Sequence, residues 1–202
     1  GEDGSTHTGA YDLAFLRCLP KLLVMVPSTA AETRAMLSFG YAYCGPAAVR
    51  YPRGEAFEGS PLAAPIELGR GRLIQSADAA NAIAVLNFGA LLDKAIVVAQ
   101  AHDATLVDMR FVKPLDERLL QQLLGQHSGF VSIEDHSCIG GAGSAVSEWL
   151  VQQKTQVSLL CLGHEDAALP HGSREQVLHH TGLSATAMVA KVEAWKSQLL
   201  TK

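Results

Sequence analysis

The chain alternates short apolar runs with longer segments of helical periodicity. A continuous apolar run of about five residues is typical of a strand buried on both faces of a parallel sheet, and the connection between two such strands is expected to be right-handed. The sequence therefore predicts an α/β protein with a mostly parallel sheet. The predicted strands are residues 22–26, 47–51, 83–88, 105–109, 130–134 and 157–162.

Capping residues and apolar faces predict the helices between these strands. Thr29 followed by Glu32 predicts a capping box at the start of a helix that ends before Gly45. Its predicted apolar face is Met36, Leu37, Gly40 and Tyr41. Further helices are predicted at 91–102, 114–124, 140–149 and after the N-caps Ser173 and Ser184. Their predicted core-facing residues are Leu92, Ala95, Ile96, Ala99, Leu119, Leu120, Leu123, Leu124, Met188, Val192, Trp195 and Leu199.

A break in periodicity divides the chain. Between Gly54 and Pro65 the apolar pattern disappears and glycine and proline accumulate, which indicates a linker at residues 55–65. We therefore predict one unit at 1–54 and a second at 66–202. The second unit is expected to open with an edge strand or hairpin at 66–75.

The net charge and the spacing of the cysteines indicate which binding partners and which cellular compartment to expect. The chain has 16 basic and 20 acidic residues, a net charge of −4 and no sustained run of either sign, so nothing suggests nucleic acid or an anionic membrane surface. Small molecules or proteins are the expected partners. No signal-peptide pattern or membrane-length apolar stretch occurs, and the start at Gly1 without a methionine suggests a fragment. Widely spaced cysteines favour reduced thiols and the cytoplasm; they are Cys18, Cys44, Cys138 and Cys161.

The N-terminal segment has the densest candidate chemistry. Asp3 and His7 lie four residues apart in a stretch containing Gly4 and Gly9, so the backbone can turn sharply there and present polar side chains. A carboxylate near a histidine can hold the imidazole in one tautomer for proton transfer. Alternatively, the aspartate caps a turn and the histidine is solvated. The spacing alone leaves both interpretations open.

A second candidate is Arg53, at the carboxyl end of the predicted strand 47–51, where open α/β sheets place ligand-binding groups. A guanidinium matches a phosphate through two parallel hydrogen bonds, so Arg53 is a plausible phosphate anchor. It could equally pair with a surface carboxylate. Arg50 lies on the opposite strand face from Val49 and Tyr51 and is expected to face a neighbouring element.

Other polar clusters are weaker signals. The glycines at 140–143 could cradle a phosphate at a helix N-terminus, but the third glycine of a dinucleotide fingerprint is missing, which favours close helix packing. Consecutive side chains diverge, so a cap or interface role is favoured over a metal site for Glu134, Asp135 and His136. Asp108 and Arg110 are predicted to be structural. No chemistry is assigned to His164, His171, His179 and His180.

Four stretches together resemble the 1-deoxy-D-xylulose-5-phosphate synthases, thiamine-diphosphate enzymes of the transketolase superfamily. They are residues 3–20, 48–54, 106–116 and 134–143, in that family's order. The resemblance covers essentially the whole chain and matches only the C-terminal third of such an enzyme. It implies that 1–54 is the C-terminal part of a pyrimidine-binding α/β domain and that 66–202 is a transketolase C-terminal-like domain.

The resemblance also implies an activity. These transferases condense pyruvate with D-glyceraldehyde 3-phosphate, with release of carbon dioxide, for isoprenoid and thiamine biosynthesis. By the motif match, His7 would assist proton transfer, Asp3 would hold the acceptor's hydroxyl group and Arg53 would bind its phosphate. Thiamine diphosphate and magnesium would be bound mainly by a missing N-terminal part, so this piece alone would be inactive and would act within a homodimer.

Two alternatives to a synthase fragment remain open at this point: a different enzyme of the same superfamily and a non-catalytic module. A transketolase or the beta subunit of a 2-oxoacid dehydrogenase shares the two-domain plan. A non-catalytic dimerisation module is the third interpretation, although it gives no reason for Asp3, His7 and Arg53 to match a site.

Overall fold

The computed structural model describes residues 3–59, 65–79 and 82–199. Within these ranges the chain forms two β-sheets with helices packed against them. The strands are β1 (Leu23–Met25), β2 (Ala47–Val49), β3 (Arg72–Gln75), β4 (Ile83–Phe88), β5 (Thr105–Asp108), β6 (Phe111–Lys113), β7 (Gly129–Ser137) and β8 (Ser158–His164). The helices are α1 (Asp12–Cys18), α2 (Ala30–Ala42), α3 (Leu92–Ala101), α4 (Glu117–Leu124), α5 (Ala142–Gln152), α6 (Arg174–His180) and α7 (Ala185–Leu199).

The larger sheet has the strand order β3-β5-β4-β7-β8. Strands β5, β4, β7 and β8 are parallel, and only the edge strand β3 is antiparallel to its neighbour. The predicted α/β class with a mostly parallel sheet is therefore confirmed. All six residues of β4 are buried because apolar clusters cover both faces of the sheet, which explains why five of the six are apolar; the exception is Asn87.

The smaller sheet has the order β2-β1-β6 and contains a strand that the sequence analysis missed. Arg110 adopts a left-handed conformation, with φ of 61°, between β5 and β6. The chain thereby leaves the larger sheet, and β6 pairs antiparallel with β1. Phe111 packs edge-on against Phe39 with ring centroids 6.4 Å apart, in a core shared with Met25 and Met36.

Helix α2 departs from its predicted pattern. Thr29 is the N-cap, and its side chain accepts a hydrogen bond from the Glu32 amide at 3.2 Å. The reciprocal half of the capping box is absent, because the Glu32 carboxylate bonds to Ser28 and Arg110 instead. The predicted apolar face was only partly right: Met36 is buried, but Leu37 and Tyr41 are 46% and 96% exposed. A three-stranded sheet is narrow, so it covers one row of the helix.

The remaining helices agree better with their patterns. Ser173 forms a complete capping box with Gln176 at the start of α6. Leu120 and Leu123 of α4 are buried, as are Met188 and Val192 of α7. None of the helices in the described ranges has the length and apolar character needed to cross a bilayer. Residues 60–64 of the predicted linker lie outside the described ranges, and the division into units at 1–54 and 66–202 stays a prediction.

Candidate functional site

A cavity of about 470 Å³ lies where the N-terminal loop meets the carboxyl ends of β2, β7 and β8. Asp3, His7 and Arg53 all line it. The structure therefore brings the three sequence-predicted site residues to one space. The opposite wall comes from the C-terminal part of the chain and includes Asp135, His164 and Arg174.

The loop that carries His7 is built around a short 3₁₀ turn, Ser5–His7. Gly4 precedes this turn with φ of 79°, a conformation that glycine adopts at little cost. The His7 amide donates to the Gly4 carbonyl at 3.2 Å and closes the turn. The Thr6 hydroxyl lies 3.0 Å from His7 Nδ1, so the other ring nitrogen, Nε2, is left for a ligand.

Arg53 and Asp3 form an ion pair across the cavity mouth. The sequence analysis offered a surface carboxylate as an alternative partner for Arg53, and the structure shows that this carboxylate is Asp3, itself a candidate site residue. Their side chains are 73% and 45% exposed, and exposed pairs contribute little to stability. The guanidinium of Arg53 is therefore held only weakly by Asp3 and stays accessible to a ligand anion such as a phosphate.

Arg50 contacts a neighbouring element, as its place on the predicted strand indicated. Its guanidinium is paired with Asp12 and Asp135 at the base of the cavity. Burial alone would raise the pKa of Asp135, but the charges of Arg50 and Arg174 lower that pKa to about 2. Asp135 is therefore ionised at neutral pH and held by two guanidinium groups.

Glu134 and His136 act as helix caps. The Glu134 carboxylate accepts hydrogen bonds from the Ala142 and Gly143 amides at 2.7 and 2.8 Å, at the start of α5. His136 Nε2 accepts a hydrogen bond from the Leu13 amide at 3.0 Å, in the first turn of α1. The cap role that was one of the two predicted for residues 134–136 is thus seen for Glu134 and His136, whereas Asp135 pairs with Arg50 and Arg174. No group of three or more His, Cys, Asp or Glu residues is placed to hold a metal ion within the described ranges.

The glycines before α5 make room for Glu134 rather than for a nucleotide. A Cβ atom on Gly141 would come within 2.5 Å of the Ser137 carbonyl oxygen and would also strike the Glu134 carboxylate. Since this carboxylate already occupies the N-terminus of α5, the packing interpretation is the one that the structure supports.

His164 and Arg174 in the cavity wall were missed by the sequence analysis. His164 ends β8 and is 4% exposed, and burial lowers its pKa to about 4. Its Nδ1 has no hydrogen-bond partner among the residues that the structure describes. Arg174 starts α6 and donates to the Ala90 carbonyl at 3.3 Å. The available signal was position: both residues lie at element ends, His164 two residues beyond the predicted end of its strand.

A second buried polar cluster lies away from the cavity, between β5 and α2. The Ser28 hydroxyl is 2.8 Å from Glu32 Oε2 and 2.5 Å from Asp108 Oδ2. A hydroxyl has one hydrogen and can donate to only one carboxyl group, so the other group must carry a proton to bond with it. Burial, followed by the charge of Glu32, raises the pKa of Asp108 to about 8. We assign the proton to Asp108, and the structural role predicted for Asp108 and Arg110 fits this cluster.

This assignment predicts the pH dependence of stability. The pKa of the Asp108 carboxyl group is higher in the folded than in the unfolded state. Its contribution to folding stability is therefore fully present below about pH 4, where the group is protonated in both states, and is lost as the pH rises towards 8. We expect Asp108→Asn, which cannot titrate, to gain stability relative to the native chain by a few kcal/mol between about pH 4 and 8. Urea unfolding across this range measures the difference. Asp166→Asn, at an exposed site, is the control, and a parallel response of the two variants would contradict the assignment.

An α/β fold with a polar cavity at the carboxyl ends of its strands defines a ligand-binding α/β protein. Residues 74–188 match the family model of the transketolase C-terminal domain, and residues 1–57 match that of the transketolase pyrimidine-binding domain. The chain belongs to the transketolase family.

Curated relatives and solved structures agree with this family. The chain is 45% identical over 196 residues to a 1-deoxy-D-xylulose-5-phosphate synthase of Sodalis glossinidius and 46% identical over 198 residues to that of Pectobacterium atrosepticum. Each match covers 96% of this chain but 31% of the relative, so the chain spans about a third of their length.

Among solved structures, a split-gene transketolase, described as an inactive beta4 tetramer, superposes with a TM-score of 0.85 at 31% identity, covering 95% of this chain and 63% of that one. The transketolase of Campylobacter jejuni superposes with a TM-score of 0.72 at 16% identity, covering 96% of this chain and 29% of that one, and supports the fold alone.

Proposed function

We propose that this chain supplies the acceptor-binding part of a 1-deoxy-D-xylulose-5-phosphate synthase. The complete enzyme would condense pyruvate with D-glyceraldehyde 3-phosphate, with loss of carbon dioxide. The identity to synthases supports this proposal over a transketolase or a 2-oxoacid dehydrogenase beta subunit. The observation that carries it is the common cavity of Asp3, His7 and Arg53, whose volume lies within the range of small-molecule sites.

The cofactors of the proposed enzyme are thiamine diphosphate and magnesium. The described residues provide no cluster of metal ligands, so they do not fit a magnesium diphosphate site. We propose that an N-terminal portion of the complete enzyme binds most of the cofactor. When bound, thiamine diphosphate supplies the electron sink for the decarboxylation of pyruvate.

The residues of this chain would act on the acceptor. Arg53 offers a guanidinium with mostly exposed donors at the cavity mouth, and it binds the phosphate of D-glyceraldehyde 3-phosphate. Asp3, displaced from Arg53 by that phosphate, accepts a hydrogen bond from the acceptor's hydroxyl group. The same two side chains thus pair with each other and, after exchanging partners, hold the ligand.

His7 would move the proton that the reaction requires. When the new carbon–carbon bond forms, the aldehyde oxygen of the acceptor gains negative charge and must be protonated. His7 Nδ1 is held by Thr6, so Nε2 is the atom that donates to this oxygen. A positioned histidine is the usual side chain for such a transfer near neutral pH.

A chimera tests the function directly. In it, this chain replaces the matching segment of the Pectobacterium atrosepticum synthase; we call this chimera the complete enzyme. We expect it to form 1-deoxy-D-xylulose 5-phosphate from pyruvate and D-glyceraldehyde 3-phosphate, and to use these substrates in preference to a ketose donor or a lipoyl acceptor. A folded chimera that prefers the ketose donor would instead favour a transketolase.

The 202-residue chain alone is expected to form no product with pyruvate, D-glyceraldehyde 3-phosphate, thiamine diphosphate and magnesium. The physical reason is that the residues described by the structure do not fit the metal site. Product formation by coupled assay, with the complete enzyme as positive control, measures this. Robust turnover by the chain alone would show that it holds the cofactor itself and would overturn the proposed division of the active site.

We also propose a homodimeric assembly and a cytoplasmic location for the natural synthase to which this chain would belong. Four free cysteines support a reducing compartment. The related split-gene transketolase forms a tetramer, which supports self-association without fixing the number of subunits.

A further inference from the structure

Arg50 joins the segments that carry the proposed site residues, although no step of the proposed reaction uses it. Its Nε donates to Asp12 Oδ1 at 2.9 Å, and its Nη1 donates to the Asp135 carboxylate. Its Nη2 donates to the Gly9 carbonyl at 3.1 Å and to the Asp135 carbonyl at 3.0 Å. One planar group therefore holds together the loop of His7, the end of β2 and the end of β7.

The buried charge of Arg50 is compensated where it lies. The side chain is 13% exposed, and its partners Asp12 and Asp135 are 26% and 11% exposed. Burial alone would lower the pKa of Arg50, but the two carboxylates raise it, so the guanidinium stays charged. A lysine cannot reproduce this arrangement, because its ammonium group lacks the planar fork that spans several acceptors.

Other contacts hold the loop to β7 but do not reach β2. The Ser137 amide donates to the Ala10 carbonyl at 2.8 Å, and the Leu13 amide donates to His136. Only Arg50 among these residues also belongs to the segment of Arg53, which follows it by three positions. Gly9, which Arg50 holds, follows His7 by two positions. The guanidinium thus fixes the spacing between the proton-transfer residue and the phosphate-binding residue.

We propose that Arg50 is a positioning residue that sets the separation of His7 and Arg53 by clamping both segments to β7. This inference rests on the proposed function for its catalytic consequence, but its structural part does not. When the fork is lost, Asp12 and Asp135 lose a shared partner and the loop is released from the strand end. Neither segment then keeps the geometry that the acceptor requires.

Hydrogen exchange tests the structural part in the complete enzyme. We expect Arg50→Met to raise amide exchange at residues 9–13 by about tenfold or more while β4 keeps its protection, because opening is local. Arg50→Lys should show an intermediate effect. Arg34→Met, at an exposed position on α2, is the matched control and should exchange like the parent. Unchanged exchange at 9–13, or loss of protection throughout the protein, would overturn the positioning role.

Steady-state kinetics test the catalytic part in the same variants. We expect Arg50→Met to lower kcat and to raise the KM for D-glyceraldehyde 3-phosphate, with a combined loss on the order of 100-fold, since small displacements of reacting groups have effects of this size. Arg50→Lys should recover part of this loss, and Arg34→Met should match the parent. A folded Arg50→Met variant within about twofold of the parent contradicts the proposal. If the parent chimera itself is inactive, the proposed function fails, while the exchange result still decides whether Arg50 clamps the loop.

Discussion

His7→Gln in the complete enzyme is expected to lower kcat by roughly 10²- to 10⁴-fold, the contribution typical of a positioned acid or base. Glutamine keeps hydrogen-bonding capacity but cannot transfer a proton. Because His7 is exposed and bonded only to Thr6 among the contacts described, the substitution should leave folding intact. Steady-state rates with saturating pyruvate and D-glyceraldehyde 3-phosphate measure the effect.

The control for His7 is His179→Gln, an exposed histidine at the end of α6. It should retain the parent rate, and both variants should unfold at the parent temperature. If His7→Gln kept a rate within about twofold of the parent, the proton would have to come from another group, and His7 would lose its assigned role.

Arg53→Ala is expected to weaken use of the phosphorylated acceptor by up to a few kcal/mol, the scale of a charge-assisted contact. The effect should appear chiefly as a higher KM for D-glyceraldehyde 3-phosphate. D-Glyceraldehyde, which lacks the phosphate, should be used almost as well by the variant as by the parent. The ratio of kcat/KM for the two acceptors therefore measures the contact directly.

Arg34→Ala is the matched control for Arg53, since it removes an exposed guanidinium from a surface away from the cavity. Arg34→Ala should leave the ratio of kcat/KM for the two acceptors unchanged. An unchanged ratio in Arg53→Ala as well would remove Arg53 from the phosphate site, and the Asp3–Arg53 pair would then be an ordinary surface interaction.

Much of the architecture could be predicted because its determinants are local. Strand β4 is apolar at five of its six positions and its residues are all buried, and Ser173 caps α6 through contacts that span three residues. The loop glycines and the strand-end arginine drew attention to the three site candidates, but their spacing left the roles open, and it was the family resemblance that implied them. The structure places them on one cavity, and their catalytic roles stay predictions for the experiments above.

The errors occurred where a residue's environment depends on distant parts of the chain. Leu37 and Tyr41 have the spacing of a core face, yet the small sheet is too narrow to cover them. Strand β6 exists because β1 offers it an edge, and its three residues carry too little pattern to reveal this. His164 and Arg174 reach the cavity wall only through the packing of the C-terminal elements.

The sequence by itself determined the α/β class, most strand positions, the helix caps and the chemical types of the site residues, because these depend on neighbours within a few positions. Tertiary structure alone decided which side chains meet. Arg50 and Asp135 are 85 residues apart, and Leu13 and His136 are separated by 123. Such contacts require the sheets to be assembled first, so the local sequence pattern predicts neither the clamp on the His7 loop nor the proton held by Asp108.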